Sequence, residues 1–242
     1  MNFITKWVGV VALMCTTSVM AQAYPNKPIT LVIPFAAGSG TDFVARNVAQ
    51  KLSERLKQPV VVDNKAGASA QIAAQFVAKA APDGYTLFMT TNTSHSANPW
   101  MFKTLNYDPI KDFAPVSMLG YSGYVIAAPS SMGVNNLADY IRLVKSKSKQ
   151  LNYASAGNGS ATHLGMASFL AKAGLEMQHI PMKSTGDAVN EVLADRVQGV
   201  TGATIGLVGF RQDARIKLLA YTGSKRSKFL PDLPTVAESG LT

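Results

Sequence analysis

Apolar and polar positions along this chain alternate between two periods. Ile29-Thr30-Leu31-Val32-Ile33 is a short, β-branched apolar run closed by Pro34, the pattern of a buried strand. Beyond it Val44, Val48, Leu52 and Leu56 recur at helical spacing, with Arg46, Lys51 and Arg55 off that stripe. Between strand and helix lies the glycine-rich run Pro34-Phe35-Ala36-Ala37-Gly38-Ser39-Gly40-Thr41-Asp42. Ser39-x-x-Asp42 has the form of a capping box, which predicts a helix start near Ser39.

The same grammar repeats. Pro59 to Asp63 reads as a strand, Gly67 to Ala81 as a small-residue helix, and Tyr85 to Thr90 as a third strand introduced by the turn Pro82-Asp83-Gly84. That strand runs into the polar loop Thr91-Asn92-Thr93-Ser94-His95-Ser96. Residues 105–120, punctuated by Pro109 and Pro115, lose periodicity and predict a crossing between lobes. A second set follows: a strand at 125–128, a helix from the Asn136-x-x-Asp139 cap to about Lys147, and a strand at 151–155. The last opens into Ala156-Gly157-Asn158-Gly159-Ser160-Ala161-Thr162 and a helix carrying Leu164, Phe169 and Leu170. A strand at 177–180, a helix capped by Ser184-x-x-Asp187, and strands at 197–200 and 216–221 complete the pattern.

Strands alternating with helices argue parallel sheets covered on both faces. The predicted class is α/β, with a first lobe over 24–115 and a second over 116–222. Each lobe carries a glycine-rich strand-to-helix loop. Helix starts presented toward a shared cleft are the geometry of a clamshell binding protein. Free N–H groups and a favourable dipole at such starts suit a carboxylate or phosphate.

Composition narrows this picture. Residues 1–23, with Lys6 as their one charge, a largely apolar stretch from Trp7 to Met20 and Ala21-Gln22-Ala23 at the end, read as a cleavable secretory signal. Cleavage there removes Cys15, the single cysteine, and with it any disulfide or thiolate chemistry. The expected location is the periplasm. The formal charge is +9, with basic clusters at 145–149 and 225–228. Neither cluster has interleaved aromatics, so both read as solvated surface and no nucleic-acid partner is expected.

Catalytic patterns are missing. Ser39, Ser155 and Ser160 sit in glycine-rich turns, but none lies in G-x-S-x-G, and neither H-E-x-x-H nor a paired-carboxylate motif occurs. The glycine loops also miss both nucleotide-binding fingerprints. His95, His163 and His179 are the only histidines and lack metal-site spacing. We read His179 as a core residue, His95 and His163 as loop-stabilising, Asp42 as a cap of its own helix, and Trp100 as ordinary packing. No enzyme activity, cofactor or metal is expected.

Several runs, taken in order, resemble one family. They are Tyr24-Pro25-Asn26-Lys27-Pro28-Ile29, the Pro34–Asp42 run, Ala81-Pro82-Asp83-Gly84-Tyr85-Thr86-Leu87, Tyr107-Asp108-Pro109-Ile110-Lys111-Asp112-Phe113-Ala114-Pro115-Val116, Leu151-Asn152-Tyr153-Ala154-Ser155-Ala156-Gly157-Asn158-Gly159 and Leu233-Pro234-Thr235-Val236-Ala237-Glu238-Ser239-Gly240. Together they are similar to the Bug-type, TctC-like substrate-binding proteins of tripartite tricarboxylate transporters. The resemblance implies a two-lobed periplasmic binding protein fold of type II-like form with a two-strand hinge. It implies a monomer that captures a small organic acid and delivers it to membrane permease subunits. The alternatives are a metabolite-presenting accessory of a sensor and a truncated, non-functional paralogue.

By matching motif, the implied first-lobe ligand contacts are Phe35, Ala37, Gly38, Ser39, Gly40, Thr41 and Asp42, flanked by Thr91, Asn92 and Ser94. The second lobe would add Ser155, Asn158, Gly159, Ser160 and Thr162, with Ser184 and Thr185 nearby. The chain departs from the family at Pro181-Met182-Lys183-Ser184, where a tyrosine hydroxyl is lost, and at Thr201-Gly202-Ala203-Thr204, where an aspartate is usual. The family also continues beyond the point where this chain ends. The resemblance therefore implies that 223–242 begin a return to a first lobe left incomplete, with apolar faces exposed and stability reduced.

Overall fold

The computed structural model describes residues 24–147 and 149–241; the expected signal segment lies outside the described residues. The first lobe is built from β1 (Ile29–Ile33), α1 (Gly40–Leu56), β2 (Val60–Asn64), α2 (Gln71–Ala78), β3 (Thr86–Phe88) and a one-turn α3 (Asn98–Met101). Its three strands run parallel in the order β2-β1-β3, with Leu31 of β1 opposite Val62 and Leu87. Sequential parallel strands need a crossover, and α1 and α2 supply it.

Ile29, Leu31 and Ile33 are buried against Ala45, Ala49 and Val60. The α1 face that meets the sheet is therefore an alanine face, because small side chains let the helix axis approach closely. Leu52 and Leu56 pack at its margin, while Val44 and Val48 line an open groove with Phe43. The apolar stripe read from the sequence thus faces partly outward. Phe43, Val61, Ile72 and Phe76 are all exposed.

The second lobe contains β4 (Tyr124–Pro129), α4 (Leu137–Ser146), β5 (Asn152–Ser155), α5 (Ala161–Ala173), β6 (Gln178–Pro181), α6 (Thr185–Leu193), β7 (Gly199–Ala203), a one-turn α7 (Thr204–Leu207) and β8 (Ile216–Tyr221). The sheet order is β6-β5-β7-β4-β8; β5 is parallel to β6 and β7, whereas β4 is antiparallel to β7 and β8. Successive β4 side chains point to opposite faces. Ile126 and Ala128 join a core with Tyr140, Val144, Met166 and Phe169. Val125 and Ala127 join another with Val189, Val192 and Leu207. Helices cover both faces, which is why the strands are apolar on both sides.

Tyr107 and Phe113 still belong to the first lobe. The Tyr107 hydroxyl donates to the Ser94 carbonyl at 2.7 Å, and Phe113 stacks on Phe88 at 5.8 Å. Residues 114–123 then cross to β4 without regular structure, and Val116, Met118 and Tyr121 are exposed. The expected two-strand hinge does not appear among the described residues. Residues 223–241 also depart from expectation: they stay with the second lobe. Tyr221 N–H donates to the Pro234 carbonyl and Val236 N–H to the Tyr221 carbonyl, each at 2.8 Å. Leu230, Leu233, Val236 and Leu241 pack on the larger sheet's two cores, and this apolar burial holds the segment there. No helix among the described residues is long and apolar enough to cross a membrane.

Candidate functional site: two matched helix starts

The carboxyl end of β1 and the carboxyl end of β5 open into the same turn. Gly38-Ser39-Gly40-Thr41-Asp42 and Gly159-Ser160-Ala161-Thr162-His163 align residue for residue. In the first, Ser39 N–H donates to the Ala36 carbonyl (3.2 Å) and Ser39 Oγ accepts from Asp42 N–H (3.2 Å). In the second, Ser160 N–H donates to the Gly157 carbonyl (3.2 Å) and Ser160 Oγ accepts from His163 N–H (3.1 Å). Gly38 and Gly159 have φ of 80° and 70°, left-handed values that glycine adopts without penalty. Both serines are helix caps with extended backbone.

The fourth residue after each cap's preceding glycine closes the turn. Gly38 N–H donates to Asp42 Oδ2 and Gly159 N–H donates to His163 Nδ1, both at 3.0 Å. These two N–H groups are therefore taken. Among the described residues, the donors of these turns that find no acceptor are those of Gly40 and Thr41 in the first turn and Ala161 and Thr162 in the second.

The closing residues are held differently. The Asp42 carboxylate also accepts from Arg46 Nε (3.0 Å) and Asn64 Nδ2 (3.0 Å). Burial alone would push its carboxyl up, but the bonds from Arg46, Gly38 and Asn64 outweigh burial and hold it below the usual carboxylate range. The sequence reading made Asp42 a cap of its own helix; the cap is Ser39, and the Asp42 carboxylate instead ties back to Gly38 N–H ahead of the helix. His163 instead stacks on His179 with ring centroids 3.9 Å apart and planes at 6°, and the Tyr153 ring lies beside this pair, 5.0 Å from His179 and 6.4 Å from His163. His179 Nε2 lies 2.7 Å from Ser155 Oγ. Burial lowers both imidazoles, and the neighbouring His163 charge lowers His179 further, to about 4.

The other expected contacts are distributed unevenly. The Phe35 carbonyl accepts from Asn64, while Ala37 is exposed. Thr91 Oγ1 donates to Thr93 Oγ1, and Asn92 is exposed. Ser94 is fully buried, with its hydroxyl between Thr90 Oγ1 (2.7 Å) and His95 Nδ1 (2.8 Å), so it presents nothing to a ligand. Ser155 is also fully buried and committed to Gly157 and His179. Thr162 Oγ1 accepts from Ala156 N–H. Ser184 caps α6 by accepting from Asp187 N–H, and Thr185 packs against Gly202 and Gly206. These hydroxyls fix the loops rather than line an opening. Trp100, expected to pack, is 91% exposed.

The two lobes meet at these turns. Ser69 Oγ donates to the Asn158 carbonyl, and Asn98 Nδ2 donates to the Ser69 carbonyl at 2.8 Å. A Cβ placed on Gly159 would stand 2.4 Å from Met101 Sδ, and one on Gly40 would stand 2.8 Å from the Ile205 side chain. Strain gathers at the same place: Ala68, Ser69 and Ala70 have φ of 44°, 52° and 70° in succession. Asn98 is fully buried at this contact, and its Oδ1 has no partner among the described residues. Sequence reading passed over Ser69, Asn98, Met101 and Ile205. The Asn98-Pro99 pair, a helix-start signal, was the one available cue.

Residues 44–242 match the profile of the tripartite tricarboxylate transporter family receptor, TctC. The protein BugT of Bordetella pertussis is 32% identical over 246 residues, 98% of this chain and 74% of its own. A Rhodopseudomonas palustris protein solved with adipate superposes with a TM-score of 0.88 at 33% identity, over 90% of this chain and 73% of that one. MatC from the same organism, solved with bound malate, gives 0.85 at 31% identity over 90% and 74%. With matched capped turns in two α/β lobes and this likeness along nearly all of its length, the chain belongs to the TctC family, the Bug-type periplasmic solute-binding receptors.

Proposed function

We propose that this protein captures a small organic acid between its lobes in the periplasm and hands it to the membrane permease subunits of a tripartite tricarboxylate transporter. One observation carries the reading. Two matched helix starts lie where the lobes meet, each with two N–H groups that find no acceptor among the described residues. Such donors, with the helix dipole behind them, favour a carboxylate. Arg46 is already committed to Asp42, so backbone donors rather than a guanidinium carry recognition. The adipate and malate seen in similar structures support a carboxylate as the ligand class.

On this reading Gly40 and Thr41 hold one end of the acid, and Ala161, Thr162 and the exposed Asn158 close over it. Gly38, Ser39, Asp42, Gly159 and Ser160 shape the two turns. The segment 1–23 directs export and is removed after Ala23.

The test is a thermal-shift screen of the purified protein against dicarboxylates, tricarboxylates, amino acids and aromatic acids. A ligand at a hundred times its Kd stabilises by about 2.7 kcal/mol, so a true ligand stands out from the panel. Selective stabilisation by one or a few acids is expected. A cooperative melt that no acid moves would overturn the reading.

A further inference from the structure

The two turns differ in one chemical respect that the capture of an acid does not require. The acceptor that closes the first is a carboxylate, whereas the acceptor that closes the second is a neutral imidazole nitrogen. Accepting a hydrogen bond from Gly159 N–H obliges His163 Nδ1 to be bare, which places the ring's own proton on Nε2. A proton added to Nδ1 turns that acceptor into a donor facing another donor. The hydrogen bond is then lost, and the turn loses its closure.

We propose that His163, with His179 stacked on it, is the positioning residue of the second-lobe turn, and that protonating this pair opens that turn while the Asp42-closed turn stays shut. The proposal goes beyond ligand capture and concerns the free protein. Two parallel rings 3.9 Å apart cannot both carry charge without strong repulsion, so the pair takes up one proton before the other. The repulsion is mutual and the first proton belongs to the pair; the ring whose protonation opens the turn is His163, because its Nδ1 faces Gly159 N–H.

The groups facing the pair from the elements packed against it offer no competing charge. From β5 they are Tyr153, whose ring lies 6.4 Å from that of His163, and Ser155; from β6 there is only His179 itself. Among the described residues no carboxylate, lysine or arginine bonds to either ring. Across the lobe contact, Gly159 meets the uncharged Met101. In the first turn Arg46 pairs with Asp42 and keeps the acceptor charged through the same acid range.

The experiment follows the backbone of the free, 15N-labelled protein by NMR from about pH 7.5 to about pH 4.5, where histidines titrate. Gly159 N and His163 Nδ1 should share a scalar coupling across their hydrogen bond at the upper end. That coupling should vanish, and the Gly159 amide should shift, in step with the His163 ring nitrogens. The Gly38 amide should stay in place over the same range. In His163→Asn, whose amide oxygen can stand where Asp42 Oδ2 stands in the first turn, the Gly159 titration should disappear. A Gly159 amide that does not move in the wild-type protein would overturn the proposal, as would Gly38 moving with it or an unchanged titration in His163→Asn. None of these readings needs an added acid, so they stand or fall apart from the proposed function.

Discussion

The turn at Gly38–Asp42 and the turn at Gly159–His163 share a backbone path and a serine cap, yet one is locked by a charged side chain and the other by a ring stack. Their foundations differ as well. The first rises from three parallel strands over one small core that leaves Phe43, Val61, Ile72 and Phe76 exposed. The second rises from five strands with a core on each face. The locks suit their settings. Asp42 draws its partners from Arg46 on its own helix and Asn64 at the end of a neighbouring strand, and needs little depth. The His163–His179 stack with Tyr153 beside it needs two adjacent strands and a helix packed tightly over them. The backbone of the turn demands an acceptor at its last residue but leaves open whether that acceptor titrates.

The sharpest way to break the equivalence of the turns is to add a methyl group to each glycine. Both positions have positive φ, so either alanine strains the backbone by about 1 kcal/mol. At Gly38 the new Cβ meets nothing within 4 Å, whereas at Gly159 it meets Met101 of the other lobe at 2.4 Å. Gly159→Ala should weaken binding of whichever acid the thermal screen selects by about tenfold or more, equivalent to at least ~1.4 kcal/mol. Because the obstructing atom is the end of a flexible side chain, Met101→Ala in the same chain should restore most of the loss. Gly38→Ala should stay within a few-fold of the parent. Calorimetric titration of the three variants decides the matter, and equal damage from both alanines would erase the distinction.

The locks themselves come next. Asp42→Ala leaves Gly38 N–H and Asn64 Nδ2 without this acceptor beside a solvated Arg46, a loss of roughly 2–3 kcal/mol in denaturant unfolding. His163→Ala removes one hydrogen bond and a ring contact, for about 1–2 kcal/mol. Acid separates the two again. Asp42 is depressed in the fold, so its contribution is complete above the unfolded carboxyl range and is lost only as pH falls through its lowered folded value. The histidines are also depressed, and for a base the consequence falls elsewhere. The unfolded chain takes up protons near its ordinary value of 6.5, so stability declines from there as pH falls toward the folded His179 value of about 4. Melting temperature should therefore drop across this window, and more shallowly in His163→Asn than in the parent protein.

Much of this was legible in the residues and some could not have been. The switch between periods of two and near four located β1, α1, β5, α5 and α6, and the Ser39-x-x-Asp42 and Ser184-x-x-Asp187 caps marked starts that the structure places one residue later. The kinship of the two turns is also written in the chain, as Gly-Ser-x-Thr followed by Asp or His. What escaped was long-range. His163 and His179 are sixteen positions apart and meet only because β6 pairs with β5 beside α5. The one-turn α3 and α7, which supply Met101 and Ile205 to the lobe contact, are too short to carry a period. The apolar stripe of α1 misled because alanines, weak in any hydropathy pattern, take the buried side.

The smallest expected effect tests how the first lobe reaches the second turn. Ala68, Ser69 and Ala70 hold three successive left-handed conformations, each disfavoured for a residue with a Cβ. Ser69 is fixed from both sides, by the Asn158 carbonyl that its hydroxyl donates to and by the Asn98 amide that its own carbonyl accepts from. Ala68 has no such duty, so Ala68→Gly should relieve strain without removing a contact. Relief of up to ~1 kcal/mol is partly offset by the extra freedom that glycine gives the unfolded chain, leaving a net gain of roughly 0.5 kcal/mol. Denaturant unfolding would register it as a higher midpoint at unchanged slope. A lower midpoint would mean that the left-handed run is no burden at Ala68, and that the strain holding Ser69 against Asn158 resides in Ser69 and Ala70 alone.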